Sequence, residues 1–256
     1  MKVSRPGERK FLKALIYGPA GHGKTTFVAT AQLDPRTSPM LFIDFEGGEQ
    51  SLAGLDIDMV SIRDWNDYDE VYRDLVSGKT EYKSVALDSI SETHIFSLLD
   101  ILDKEGPNRK DPNALQQQDY GKSTILMRRL LRAFRDLPMH VFFTCAAKDD
   151  VEPRVGSVKK PALAGQMSEE LSGMMDCVAY LAIGKNEEDE DIRALLLKND
   201  ARYRIKIRSG WGQELPDVIE EESPRQFAEE GVTMLLDALN FTEEGVAAAP
   251  KRRKKK

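Results

Sequence analysis

Residues 18–25 of the chain read GPAGHGKT and run directly into Thr26. They match the pattern G-x-x-x-x-G-K-[ST] at every fixed position. Gly18, Gly21 and Gly23 allow the backbone to curl until successive N–H groups point inward, where they can hold phosphate oxygens. Lys24 supplies a point charge for the terminal phosphates, and the Thr25 hydroxyl is suited to a magnesium ion. Pro19, Ala20 and His22 fill the variable positions, where no particular chemistry is required. His22 is therefore expected to be a tolerated surface residue. The context agrees. The apolar run FLKALIYG, 11–18, reads as a buried strand feeding the loop. A helix is expected over 24–32, its N-terminus adding free donors and a favourable field. Residues 18–26 are thus expected to bind ATP with magnesium.

Working outward, the 256 residues suffice for one large α/β domain or two small ones, and 41% hydrophobic with 31% charged residues is a globular composition. No apolar run approaches the 18 or more residues of a membrane span, and no apolar segment follows MKVSRPGERK, so neither a span nor a signal peptide is expected. Cys145 and Cys177 have no metal-ligand spacing and form no disulfide framework. They are expected to be reduced and buried, in a cytoplasm. The net charge of −6 places any nucleic-acid contact on local patches. Residues 186–191 (NEEDED) and 219–222 (IEEE) are acidic, whereas 251–256 (KRRKKK) are wholly basic. That basic run suits either DNA contact through counterion release or a solubilising tail.

Further strands are expected at 40–46, 82–89, 139–147, 177–183, 193–199 and 202–208. Helices are expected at 65–78, 95–103, 123–137, 168–175 and 224–239. The polar stretches 105–119 and 148–166 read as long exposed loops. The expected organisation is an ordered core, 1–244, and a disordered tail, 245–256. Strands alternating with helices predict an α/β fold with a mainly parallel sheet flanked by helices. The closely spaced last strands predict an antiparallel extension near the C-terminus.

The run VALD, 85–88, is an apolar strand ending in a carboxylate, which beside the glycine loop suits Asp88 as the second magnesium-holding group, assisted by Ser89. Two carboxylates are candidates for the base that activates water. Glu46 ends the strand LFIDFE at the sheet edge where ligands bind, and Glu92 follows Asp88 by four residues. Geometry favours Glu46, the better fixed of the two. Asp44 is read as structural.

LFIDFE (41–46), ALDSIS (86–91) and HVFFTCAAKDDVEPRVGSVKKPALAG (140–165) together resemble the RecA-like recombinase core, over roughly residues 11–210. DYGKSTILMRRLLRAFRDL (119–137) and PALAGQMSEELSGMMDCVAYL (161–181) look like the minimal, phage-encoded Sak-type single-strand annealing proteins of that group. The resemblance implies Glu46 as catalytic glutamate and Asp88 with Ser89 as the magnesium-side strand end. It also implies ATP-stimulated binding of single-stranded DNA, annealing or strand exchange, and homo-oligomeric rings or filaments. A single-strand DNA-binding protein as partner and the cytoplasm of a bacterial host are implied as well.

Two DNA-binding loops are implied. The first would use Arg109, Lys110 and Lys122, with Tyr120 available for stacking. The second would use Lys148, Arg154, Lys159 and Lys160. Ordinary solvated surface connections are the alternative for both. Lys206 and Arg208, on one face of the strand 201–208 with Arg204, are expected to reach a neighbouring subunit's ATP, a plain solvated strand face being the alternative. One departure stands out: the glutamine usual at the end of the fourth strand is replaced, at about Cys145, with Thr144 beside it. A helicase loader, a nucleotide-driven switch or a nucleotide-dependent assembly scaffold of the same core remains open.

Overall fold

The structure, a computed structural model, describes residues 11–198, 200–208, 215–243 and 245–246. The N-terminal run MKVSRPGERK and the basic run KRRKKK lie outside the described residues.

In chain order the elements are β1 (Lys13–Gly18), α1 (Lys24–Ala29), β2 (Met40–Asp44), β3 (Asp58–Ser61), α2 (Trp65–Val76) and β4 (Ser84–Asp88). Then follow α3 (Thr93–Glu105), α4 (Gln117–Arg135), β5 (His140–Glu152), β6 (Gly156–Pro161), α5 (Met167–Met174) and β7 (Cys177–Lys185). The last are β8 (Asp191–Leu196), β9 (Lys206–Ile207), β10 (Val218–Glu220), α6 (Phe227–Ala238), β11 (Phe241–Thr242) and β12 (Gly245–Val246).

One sheet runs β10-β8-β7-β1-β5-β4-β2-β3. From β7 to β3 every pairing is parallel, while β8, β9 and β10 add antiparallel and β6 folds back on β5. This is the expected parallel sheet with its antiparallel extension. The period of two along each strand divides the core into two layers. Leu15 and Tyr17 of β1 face α2, α4 and α5, joining Tyr68, Leu131, Phe134 and Leu171. Ala14 and Ile16 face α1 and α6, joining Phe27, Val28, Phe227 and Leu235. Phe27 and Phe227 meet edge to face at 5.3 Å, which clamps the helix after the glycine loop against α6. Burying a ring of that size contributes about 1.5–3 kcal/mol.

Both expected long loops are partly ordered elements. Helix α3 runs to Glu105, a short 3-10 turn covers Gly106–Asn108, and α4 begins at Gln117, six residues before the apolar periodicity starts. Its first turn is polar because it is fixed by capping: Asp119 Oδ2 accepts the Gln116 N–H at 2.7 Å. The second loop is a hairpin. β5 continues past the sheet to Glu152 and returns as β6, with Asp149 opposite Lys159 and Asp150 opposite Val158. The apolar run stops at Ala147 because there the strand leaves the core, while the ladder goes on. The expected strand 202–208 shrinks to β9, and the four-residue edge strand β3 had no apolar pattern to announce it. Residues 245–246 of the expected tail pair with Phe241 and Thr242. Residues 247–256 lie outside the described residues.

Candidate functional site

The loop after β1 sits at the carboxyl edge of the sheet, between strands whose connections leave in opposite directions, the usual place for a ligand in an open α/β sheet. Gly18 ends β1 against β7 so closely that a Cβ there would lie 2.6 Å from the Leu181 carbonyl oxygen. Gly23 has φ +89°, a left-handed turn that costs little only without a side chain, and its carbonyl accepts the Phe27 N–H at 2.8 Å to start α1. His22 is not a free surface residue. Its Nδ1 lies 3.1 Å from the Leu181 carbonyl, an arrangement in which the ring donates and pins the loop to β7.

A cleft of about 420 Å³ opens over this loop. Ala20, Gly21, Gly23, Lys24, Thr25 and Thr26 line one side, while Glu46, Asp88, Ser89 and Ala146 come from the neighbouring strand ends. Lys24 Nζ donates to the Pro19 carbonyl at 2.9 Å, so its ammonium is folded back over the loop. Burial holds Lys24 below the ordinary ammonium range, opposed by the charges of Asp88 and Glu46. Asp88 is buried at the end of β4, where burial raises its carboxyl above the usual range against hydrogen bonds from Thr144 and Thr25. Thr144 Oγ1 donates to Asp88 Oδ1. The Asp88–Ser89 peptide is cis.

Among the described residues no group of three or more His, Cys, Asp or Glu is arranged to hold a metal ion unaided. Thr25 and Asp88 offer two oxygens in contact. That donor set suits magnesium, which keeps several waters and leans on the substrate's phosphates for the rest of its shell.

The two candidate bases separate. Glu46 lines the cleft, and Ser89 Oγ donates to its Oε1. Its turn is fixed by Asp44, whose Oδ1 accepts the N–H groups of Glu46, Gly47 and Gly48 at 3.1, 3.1 and 3.2 Å. Glu92 is not among the cleft-lining residues. It sits just before α3, and its charge is felt by Tyr68 on the α2 side.

Along β5, at the expected place of the missing glutamine, the residues alternate between core and cleft side. Cys145 packs into the Tyr17 and Leu87 layer and touches Ser91 Oγ at 3.4 Å; burial pushes its thiol up to about 11. Thr144 and Ala146, one residue to either side, face the phosphate loop instead: Thr144 binds Asp88 and Ala146 lines the cleft. Alternation along β5 makes Cys145 a core residue.

Arg193, on β8, was not anticipated. It lines the cleft, and its Nε donates to the His22 carbonyl at 3.1 Å. No motif or spacing pointed to it, because it joins the loop across 171 positions of sequence.

A family model described as an AAA domain, AAA_24, matches residues 10–209. The chain belongs to the AAA_24 family. Its fold, a mainly parallel sheet flanked by helices with the glycine loop after its first strand, is that of a P-loop NTPase. No curated protein matches it by sequence. Solved structures similar to it include a KaiC-like protein from the hyperthermophilic archaeon Pyrococcus horikoshii OT3, at 16% identity over 78% of this chain and 80% of that one, with a TM-score of 0.45. The RadB recombinase matches at 16% identity over 74% and 80%, with a TM-score of 0.44. The flagellar accessory protein FlaH from Methanocaldococcus jannaschii matches at 11% over 83% and 85%, with a TM-score of 0.42.

The cations expected to contact DNA on this AAA-domain core are mostly engaged elsewhere. The Arg109 side chain, 6% exposed, makes a bidentate pair with Asp119, at 2.7 and 2.8 Å, and also reaches Glu105 at 3.1 Å. Lys122 pairs with Glu105 at 2.5 Å. Lys159 pairs with Asp149 at 2.9 Å. Lys160 is buried among Asp150, Glu152 and Glu169, at 3.0, 2.9 and 3.2 Å, and hydrogen bonding led by Glu152 raises its ammonium. These four stabilise the α3–α4 junction and the hairpin in the structure as it stands. Lys110 and Arg154 are exposed and have no ion pair among the described residues. Arg154 sits at the hairpin turn, with φ +80°.

Lys206 and Arg208 point away from their own cleft. Lys206 Nζ donates to the carbonyls of Ser172 and Gly173, at 3.1 and 2.5 Å. Arg208 Nη2 donates to the Met174 carbonyl at 3.3 Å and its Nε faces Asp176 at 3.5 Å. Both thus neutralise the carbonyl end of α5. Lys206 is opposite Val178, three residues before Leu181, so it sits about 10 Å back along β7 from the phosphate loop. A cation there cannot serve the nucleotide of its own chain.

Among the described residues no helix is long and apolar enough to cross a membrane.

Proposed function

We propose that this chain is an ATP-hydrolysing, RecA-like enzyme of the phage Sak type that binds single-stranded DNA and promotes annealing or strand pairing. One observation carries the enzymatic half. Lys24 and Thr25 at the start of α1, Asp88 at the end of β4 and Glu46 just past β2 converge on a single cleft.

In this reading the backbone amides of 20–25 cradle the phosphates and Lys24 leaves the Pro19 carbonyl to meet them. Thr25 and Asp88 would hold magnesium, which would supply charge neutralisation to the phosphates when bound. Glu46, oriented by Ser89, takes a proton from the water that attacks the terminal phosphorus. The bond to the bridging oxygen breaks, and ADP and phosphate result. Lys206 and Arg208 serve a neighbouring copy's site in a ring or filament, after leaving the end of α5. That proposal is consistent with their distance from their own cleft.

The DNA half is supported by the sequence resemblance and by the form of β5. Its inner part reaches the cleft at Ala146 and bonds Asp88 through Thr144, and its outer part carries the hairpin with Arg154 exposed. Lys110 and Arg154 are the first-contact cations. A single-strand DNA-binding protein is the further partner, and the cytoplasm of a bacterial host is the setting.

A second reading, an assembly scaffold or helicase loader of the same core, draws support from the internal pairing of Arg109, Lys122, Lys159 and Lys160. ATP turnover with and without single-stranded DNA, run beside an annealing assay, decides between them. DNA-stimulated turnover with faster annealing is expected. Turnover that responds only to a protein partner would support the second reading.

A further inference from the structure

Arg193 lies on β8, separated from the phosphate loop by β7, yet its guanidinium reaches that loop. Its Nε donates to the His22 carbonyl, and a Cβ at Gly23 would come within 3.0 Å of the same nitrogen. The absence of a side chain at Gly23 is therefore what lets the cation lie against the loop.

Glu221, just after β10, holds Arg193 in place. The Arg193 N–H donates to Glu221 Oε2 at 2.7 Å, the Glu221 N–H returns to the Arg193 carbonyl at 2.9 Å, and Oε2 faces Arg193 Nη1 at 3.5 Å. Glu221 is buried, and its other oxygen accepts the Phe227 N–H at the start of α6, at 2.8 Å. One edge of the guanidinium is thus engaged by a buried carboxylate. Nη2 has no hydrogen-bond partner among the described residues, and the side chain lines the cleft beside Lys24, Thr25 and Thr26.

We propose that Arg193 contacts the nucleotide's phosphates within its own chain and that Glu221 is its positioning residue; the proposal rests on the nucleotide-binding reading above. Sheet order says which phosphates. Asp88 and Glu46 approach from β4 and β2, on one side of β1, whereas Arg193 approaches from β8, on the other. The side with Glu46 is where the terminal bond breaks. Arg193 therefore meets the inner phosphates, which ADP and ATP share, and it should serve affinity for both. A fixed guanidinium with a free edge is suited to a forked contact with phosphate oxygens.

The test is calorimetric titration of ADP and of ATP, each with magnesium, into the full chain and its variants, together with the melting temperature of the nucleotide-free protein. For Arg193→Ala, affinity should fall about 10- to 100-fold for both nucleotides alike, and the nucleotide-free melting temperature should fall too, because the buried Glu221 loses its cation. Arg193→Lys should recover part of the loss. Glu221→Gln keeps only one of the two oxygens that accept backbone N–H groups and removes the charge, so its nucleotide-free melting temperature should fall, and it should weaken both nucleotides by less. The double variant Arg193→Ala/Glu221→Gln should bind no worse than Arg193→Ala alone, since the carboxylate acts through the cation. Unchanged affinity in Arg193→Ala, or a loss confined to ATP, would overturn the proposal. So would an affinity loss that Glu221→Gln reproduces in full through its own loss of nucleotide-free stability, which would make Arg193 a strut for the loop. If the unaltered chain binds neither nucleotide, the underlying reading fails as well.

Discussion

The substitution Glu46→Gln removes the carboxylate that alone lines the cleft beyond Asp88. Asp88 cannot stand in for it, because its oxygens are already bonded by Thr144 and Thr25. A positioned general base contributes about 10²- to 10⁴-fold, or roughly 3–5 kcal/mol of barrier. The turn that presents Glu46 is held by three amides on Asp44, and the substitution leaves that backbone untouched. Fold and cleft shape should therefore survive. Nucleotide affinity should not weaken, since the lost charge is one that opposes phosphate. Single-turnover phosphate release at saturating ATP and magnesium is the assay, read beside equilibrium binding. The expected result is a turnover loss of at least about 100-fold with the dissociation constant within about 3-fold of the parent. Glu92→Gln, outside the cleft, should change turnover by less than about 2-fold. Ser89→Ala should fall between, near 10-fold, the value of about one charge-assisted hydrogen bond. Turnover of Glu46→Gln within about 3-fold of the parent would refute the assignment, the more so if Glu92→Gln proved inactive.

Asp44→Ala should remove an acceptor shared by three N–H groups, costing about 1–3 kcal/mol in urea unfolding and slowing turnover, whereas Asp44→Asn, which keeps an oxygen there, should restore most of both. Arg109→Ala should lower the melting temperature and leave the salt dependence of DNA binding unchanged, while Arg154→Ala should do the reverse; a DNA defect in Arg109→Ala without loss of stability would contradict the ion-pair role. His140 is buried, accepts the Leu12 N–H on Nδ1 and is pushed down to about 4 by burial, with help from Lys13. Its unfolded form takes up a proton near 6.5, so the unfolded chain binds more protons between those values, and stability falls as pH drops from about 6.5 to about 4. The contribution is about 3 kcal/mol. Urea midpoints compared at about pH 7 and about pH 4.5 should show a smaller difference in His140→Asn.

The phosphate loop and the strands β2, β4 and β5 were legible because each couples a continuous apolar run to a functional residue at its end. Leu41 to Asp44 and Val85 to Asp88 are such cases. What escaped were features defined by pairing. The polar residues of 148–161 form a hairpin because Asp149 meets Lys159 and Lys160 meets Asp150 and Glu152, and no hydrophobic pattern records that. For the same reason cations that looked available for DNA proved to have partners. Which of Thr144, Cys145 and Ala146 faces the cleft side was likewise a matter of register: one step along a strand exchanges core for cleft. Arg193 and Glu221 were hidden more deeply, since β8 and β10, which bring them together beside the loop, are antiparallel and remote from it in sequence.

Beyond Ala147, β5 has left the sheet, and its outer length is laddered to β6 alone, with Val151 78% exposed. That outer length should be among the first parts of the molecule to exchange its amide hydrogens. If quieting it also restrains Ala146 at the cleft, a ligand on the hairpin and a ligand in the cleft would draw on the same ordering entropy of one strand. Linkage then makes the effect mutual: whatever factor one adds to the other's affinity, it receives in return.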